Sequence, residues 1–159
     1  LGEARIARVG SDVTIAAVSY MTLEALRAAE VLAKRGIGVE VIDMRSLQPL
    51  DSDTVIRSVR KTGRLVIADT GMRSFGVAAE IAACVAERAF ASLKAAPVRV
   101  ASPDCPGPTS PALSRHYYPR AVDIGRAAGG LMSVGVGEEH FPGPTTPLDI
   151  PDQSFKGPF

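Results

Sequence analysis

The sequence predicts an α/β domain built around a largely parallel sheet. Two observations carry that prediction. Segments of strand type and helix type take turns along the chain, and the strand-type runs are apolar without polar alternation, as strands covered on both faces require. A third agrees with them: Gly36 and Gly63 stand where two helical patterns stop, the position that favours a left-handed cap.

Residues 4–9 read as a short edge strand, and Asp12 leads into VTIAAV at 13–18, the first central strand. Residues 22–35 have helical spacing. Leu23, Leu26, Ala29 and Ala33 share the expected buried face, and Glu24, Arg27, Glu30 and Lys34 the solvent face, with Glu30 and Lys34 set for an i,i+4 pair. IGVEVID at 37–43 is the second central strand. After a turn at 46–49, Asp51 is placed to cap a helix running to Lys61.

RLVIAD at 64–69 forms the third central strand, and the loop TGMRSF leads to a long helix over about 76–93. Val77, Ile81, Val85, Ala89 and Phe90 are expected to face the sheet. Ala79, Ala82, Ala83 and Ala86 widen that apolar surface, so a second cover is expected, from this domain or from another subunit, and with it a dimer through this helix. PVRVAS at 97–102 is the fourth central strand. A Pro-rich loop then precedes a short helix near 113–116 and a last helix over about 120–128. The chain thus divides into a domain at 1–128 and a tail at 129–159, where five Pro and six Gly accompany four acids. The tail is read as an extended or poorly ordered end, or as a strap lying on a partner.

Composition excludes several classes. Lys and Arg total 18 against 17 Asp and Glu, a balance that gives no electrostatic reason for nucleic acid or an anionic membrane as partner. No apolar run reaches the roughly 20 residues that span a bilayer, and the opening LGEARIARVG lacks the apolar stretch of a signal peptide, so a cytoplasmic location is expected. The absence of an initial Met fits an excised or processed domain. Cys84 and Cys105 are too few for a disulfide scaffold and read as inert thiols.

Ligands of open parallel sheets gather at the carboxyl ends of the strands, which nominates Ser19, Tyr20, Arg45, Ser46, residues 69–73 and residues 102–104. There is no G-x-G-x-x-G after the first long strand, no G-x-x-x-x-G-K-[ST] and no G-x-S-x-G, so nucleotide cradles and a nucleophile elbow are missing. Arg73, just before the helix start at Gly76, is placed to hold an anion with free amides, although a single basic residue fits a solvated or interfacial role better. Glu80 in the first turn complements the helix dipole more simply than it serves chemistry. His116, beside Tyr117 and Tyr118, is read as a helix-end histidine packed on tyrosines rather than a general base. His140 has no partner at metal spacing. No catalytic, cofactor-binding or metal set can be assembled from these residues. Tyr20, Arg45, Asp69, Arg73, Glu80, Asp104, His116, Tyr117 and Tyr118 remain as rim or subunit-contact candidates.

Several longer stretches look familiar. EVIDMRSLQPLD at 40–51, KTGRLVIAD at 61–69, GVAAEIAA at 76–83 and PALSRHYYP at 111–119 resemble the transketolase-type C-terminal domain, most closely its version in beta subunits of pyruvate, branched-chain 2-oxo acid and acetoin dehydrogenases. The likeness covers residues 1–128. It departs from the common pattern at Asp69-Thr70-Gly71-Met72, where many members carry Glu-Ala-Pro, and in the long tail.

The resemblance implies a three-layer sandwich: a mixed, mostly parallel five-stranded sheet with helices on both faces. It implies a non-catalytic domain of a thiamine-diphosphate-dependent oxidoreductase that decarboxylates a 2-oxo acid. Thiamine diphosphate and Mg²⁺ would be held outside this chain, between an alpha subunit and the preceding domain of the beta subunit. The implied partners are the alpha subunit, a second beta subunit and the lipoyl acyltransferase component, with Asp104 a candidate for an acidic docking surface. Transketolase and deoxyxylulose-phosphate synthase are rivals within the superfamily. A free-standing α/β module that binds a small anion at its rim is the rival outside it.

Overall fold

Where the sequence runs apolar without interruption, the chain forms strands that lie side by side. The computed structural model describes residues 2–143. Its strands β1 (Arg5–Arg8), β2 (Val13–Ala17), β3 (Val39–Asp43), β4 (Leu65–Met72) and β5 (Val98–Ser102) form one sheet in the order β1-β3-β2-β4-β5. β1 pairs antiparallel with β3, and every other pairing is parallel. Helices α1 (Met21–Ala33) and α5 (Ala121–Leu131) cover one face, α2 (Ser52–Thr62) and α3 (Val77–Ala89) the other. Short α4 (Pro111–Tyr117) precedes α5. The three-layer expectation holds.

Alternate strand residues point to opposite faces, which explains why both must be apolar. Ile15, Val41, Val66 and Val100 enter the core under α1 and α5, while Ala16, Ile42, Leu65 and Ile67 enter the core under α2 and α3. Thr14 is the polar exception in β2. Its hydroxyl lies 2.7 Å from both the Ser58 and the Thr62 hydroxyls of α2, so the buried polar group is satisfied. Asp51 caps α2 by accepting the Thr54 amide at 3.0 Å, and Gly63 ends the helix at φ 74°.

Four expectations are corrected. The buried stripe of α1 is Met21, Ala25, Ala28 and Leu32, which turns Ala33 outward and Glu24 inward, leaving Glu24 3% exposed. β4 runs past Asp69 to Met72, taking in the start of the anticipated loop. β5 is an edge strand, because the chain crosses β2 to place β4 and then β5 on the far side. Phe90 lies just beyond α3 in a short 3-10 turn and is 74% exposed, because at about 100° per residue it falls near Ala83 on the outward side and not on the stripe of Ile81 and Val85 that faces the sheet.

The compositional break at Gly129 does not end the packed unit. α5 continues to Leu131, and the chain then folds back so that Val136 is buried and Phe141 packs against the core under α1 and α5. Glycine makes this possible: a Cβ on Gly129 would stand 2.6 Å from the Val134 carbonyl oxygen and 2.7 Å from Val136 Cγ2. The remainder of the anticipated tail, from residue 144, lies outside the described residues. No helix among the described residues is long and apolar enough to cross a membrane.

Candidate functional site

Sheet order fixes where a site belongs. From β2 the chain passes into α1 on one face, and from the neighbouring β4 into α3 on the other, so the crevice between their carboxyl ends is the topological switch point. Three non-glycine residues just past strand ends on this rim have left-handed backbones: Ser19 (φ 52°) after β2, Arg45 (φ 52°) after β3 and Phe75 (φ 58°) after β4. Each costs roughly 1–2 kcal/mol, so the rim is held in shape by its surroundings.

The holding groups are visible after β4. Arg73 donates its amide to the Ser102 carbonyl at 2.8 Å and accepts Arg99 on its own carbonyl at 2.7 Å. Asp104 takes both the amide (2.8 Å) and the hydroxyl (2.6 Å) of Ser74. The Ser74 hydroxyl and amide bonds hold the Asp104 carboxyl below its usual range, against a small opposing effect of burial, and Arg73 and Arg99 add to the effect. Gly76 is required here, because a Cβ would fall 2.3 Å from the Met72 carbonyl oxygen.

Asp69, expected on the rim, is buried at 4% exposure and accepts the Gly71 amide at 3.0 Å. Its other oxygen lies 3.5 Å from where a Gly76 Cβ would stand, so a carboxylate of the chain already occupies the positive end of α3. The anion reading of Arg73 loses its main support. An incoming anion would meet Asp69 and Asp104, and the second nearby base, Arg99, is engaged with backbone.

Sequence reasoning missed the most connected carboxylate. Glu24 accepts the Tyr20 hydroxyl at 3.0 Å, Arg27 at 2.8 Å and the Ala121 amide at 2.7 Å, with Arg120 at 3.9 Å. Arg120 also donates to the Tyr20 hydroxyl at 2.7 Å and stacks over its ring, 5.4 Å from the centroid. One buried carboxylate thus ties the start of α1 to the start of α5. Burial, then the nearby Glu24 charge, pushes the Tyr20 phenol up from its ordinary value. The signal was present in the spacing: Tyr20 and Arg27 lie four before and three after Glu24, on its own side of the helix.

The remaining candidates stand apart from any reaction geometry. Arg45 and Glu80 are exposed. The Cys84 thiol lies 3.6 Å from Glu80, and burial followed by that carboxylate raises its pKa, which agrees with an unreactive thiol. His116 is exposed, and Tyr117 and Tyr118 pack edge to face at 4.9 Å beside Gly107. Among the described residues no three His, Cys, Asp or Glu side chains gather as a metal site would need. With Asp69 and Asp104 tied to amides and Ser74, the donor set does not fit a Mg²⁺–diphosphate group.

By architecture, then, the chain is an α/β domain with helices on both faces of its sheet, and the carboxylate of Asp69 lies buried at the start of α3 beside the switch point. It belongs to the transketolase C-terminal domain family, which residues 2–124 match. It is 46% identical over 134 residues to the beta subunit of acetoin:2,6-dichlorophenolindophenol oxidoreductase of Cupriavidus necator, covering 84% of this chain and 40% of that protein. It is 48% identical over 128 residues to the beta subunit of the mitochondrial pyruvate dehydrogenase E1 component of Pisum sativum, covering 80% and 36%. Among solved structures it resembles a split gene transketolase, an inactive beta4 tetramer, with TM-score 0.72 and 32% identity over 84% of this chain and 42% of that one. The chain therefore spans about two fifths of the length of these relatives.

Proposed function

We propose that this chain is the C-terminal assembly domain of the beta subunit of a thiamine-diphosphate-dependent 2-oxo acid dehydrogenase. The observation that carries the reading is the 46–48% identity to beta subunits of acetoin and pyruvate oxidoreductases over 134 and 128 residues, 84% and 80% of this chain. The rim geometry supports a non-catalytic role, because its carboxylates serve backbone amides and helix ends rather than a reacting group. In this reading thiamine diphosphate and Mg²⁺ bind elsewhere in the enzyme. An alpha subunit, a second beta subunit and a lipoyl acyltransferase are the partners, and the enzyme works in the cytoplasm.

The test is an assay of the purified native protein for 2-oxo acid oxidation with 2,6-dichlorophenolindophenol as electron acceptor. The expected result is dye reduction that requires a 2-oxo acid, thiamine diphosphate and Mg²⁺. Dye reduction with neither pyruvate nor a branched-chain 2-oxo acid would overturn the assignment, and so would reduction with acetoin alone, which is a hydroxyketone and not a 2-oxo acid.

A further inference from the structure

We infer that residues 132–143 form a pH-operated clasp: neutral His140 closes it on the end of α1, and protonation of that imidazole opens it. The inference stands independently of the proposed function. Two glycines of α5 make the seat. A Cβ on Gly125 would stand 2.6 Å from Phe141 Cζ, and one on Gly129 would stand 2.7 Å from Val136 Cγ2, so ring and valine press directly on helix backbone. The chain turns back to reach this seat through Ser133, whose left-handed backbone (φ 57°) is a strained conformation that favours release.

Polar ties to the rest of the domain are few. Met132, Ser133 and Val134 donate their amides to Gly129 and Gly130 at the end of α5, while His140 and Phe141 donate theirs within the clasp, to Gly137 and Glu138. Among the described residues, a single hydrogen bond joins the far part, 135–143, to the body: that of Arg35, just past α1, with His140 Nε2. A guanidinium only donates, so Nε2 must offer its lone pair. The ring hydrogen is thereby assigned to Nδ1, where the Gly137 carbonyl at 3.2 Å and a Glu139 carboxylate oxygen at 3.1 Å accept it; the Gly137 amide, also 3.2 Å away, goes unserved.

Adding a proton fills the lone pair that the latch uses and sets an imidazolium against Arg35. Glu139 pulls the other way, but its side chain is 72% exposed and screened, and it already faces the Nδ1 hydrogen of the neutral ring. Other charges on the surrounding elements are engaged elsewhere or turned to solvent. Asp123 and Arg126 of α5 pair with each other at 3.6 Å, Arg27 of α1 pairs with Glu24, Arg64 donates to the Leu131 carbonyl at 3.0 Å, and Asp12 accepts the Gly38 amide at 2.6 Å. Glu30 and Lys34 of α1, and Glu138 in the clasp, are exposed. The closed form therefore needs the neutral ring: it is held above the imidazole range and lost as pH falls through it. Opening uncovers Val136, Phe141 and the face of α5 on which they lie.

The test is hydrogen–deuterium exchange on the full-length native protein at about pH 7.5 and about pH 5.5, either side of the ordinary imidazole value of about 6.5, with each rate corrected for the intrinsic amide rate at that pH. Protection of amides 134–141 is expected to fall about threefold or more at the lower pH, the size an exposed charge contact carries, while β2 stays unchanged. His140→Gln, neutral at both values, and Arg35→Gln, a donor without charge, are each expected to abolish the difference. Protection in the native protein that is equal at both values, or higher at the lower one, overturns the inference. So does a fall that survives in His140→Gln, which would place the titrating group elsewhere. If His140→Gln leaves the clasp open at both values, Arg35→Gln decides: a fall that persists there contradicts the repulsion, and its loss with the clasp closed upholds it.

Discussion

Glu24→Ala tests the tie between α1 and α5 most sharply. The carboxylate is 3% exposed and receives the Ala121 amide, the Tyr20 hydroxyl and Arg27, with Arg120 close by. Removing the acceptor from the buried Ala121 amide costs about 1–3 kcal/mol. The Arg27 side chain is 39% exposed, so water screens that pair and its loss adds no more than about 1 kcal/mol. Arg120 is less exposed but sits at 3.9 Å, and losing its counter-charge adds a similar amount. The total is about 3 kcal/mol, a fall in Tm of about 6–12 °C for a chain of this size. Thermal melts followed at 222 nm, with urea unfolding to confirm an unchanged m value, measure it. Glu24→Gln, which keeps the shape and loses the charge, should fall between. A Glu24→Ala protein melting within about 2 °C of wild type would show that the cluster is a surface ornament and that α5 is held by apolar packing alone.

Three further outcomes are expected. Gly129→Ala should destabilise by about 2 kcal/mol through overpacking, because its Cβ meets the Val134 backbone. Gly130→Ala, with nothing within 4 Å, should stabilise by about 0.5 kcal/mol from helix propensity; urea titration of both variants gives the comparison. The carboxyls of Glu40 and Asp51 are held below their ordinary values of 4.5 and 3.8: burial pushes each up, but the Lys61 and Ser58 bonds to Glu40, and the Thr54 and Ala4 bonds to Asp51, outweigh it. Depressed folded-state values mean that this stability is present above pH 4.5 and is lost as pH falls through 4.5 and 3.8 toward the folded-state values, so urea midpoints should drop between about pH 5 and 3, less steeply in Asp51→Asn with Glu40→Gln. Asp104→Ala should speed chymotryptic cleavage after Phe75, because the Ser74 grip is gone, with no change in the rate at buried sites.

The strands were legible because VTIAAV and RLVIAD have one physical explanation, burial on both faces, and the caps at Asp51 and Gly63 because their side-chain chemistry is local. Sheet order was not legible, since nothing in a parallel strand states which neighbour it takes; β5 was read as central for that reason. The phase of α1 was misread because a glutamate looks like a solvent residue until the arginine 96 positions later, at 120, and the amide of Ala121 are brought to it. At the rim, Arg73 and Asp104 were picked out individually, but their roles depend on backbone partners on β5 and on Ser74, contacts across 26 to 30 positions that spacing does not reveal. Packing beyond Gly129 was hidden by composition: glycines that read as loop are the notch into which Val136 fits.

The central claim is that this sequence is one domain of a larger beta subunit. Its most direct test is the intact mass of the native polypeptide measured by mass spectrometry after purification from the source. The account predicts a subunit of about twice 16.6 kDa or more, in keeping with a chain that spans 40% and 36% of its relatives. A native polypeptide of 16.6 kDa would contradict it and leave a free-standing α/β module in its place.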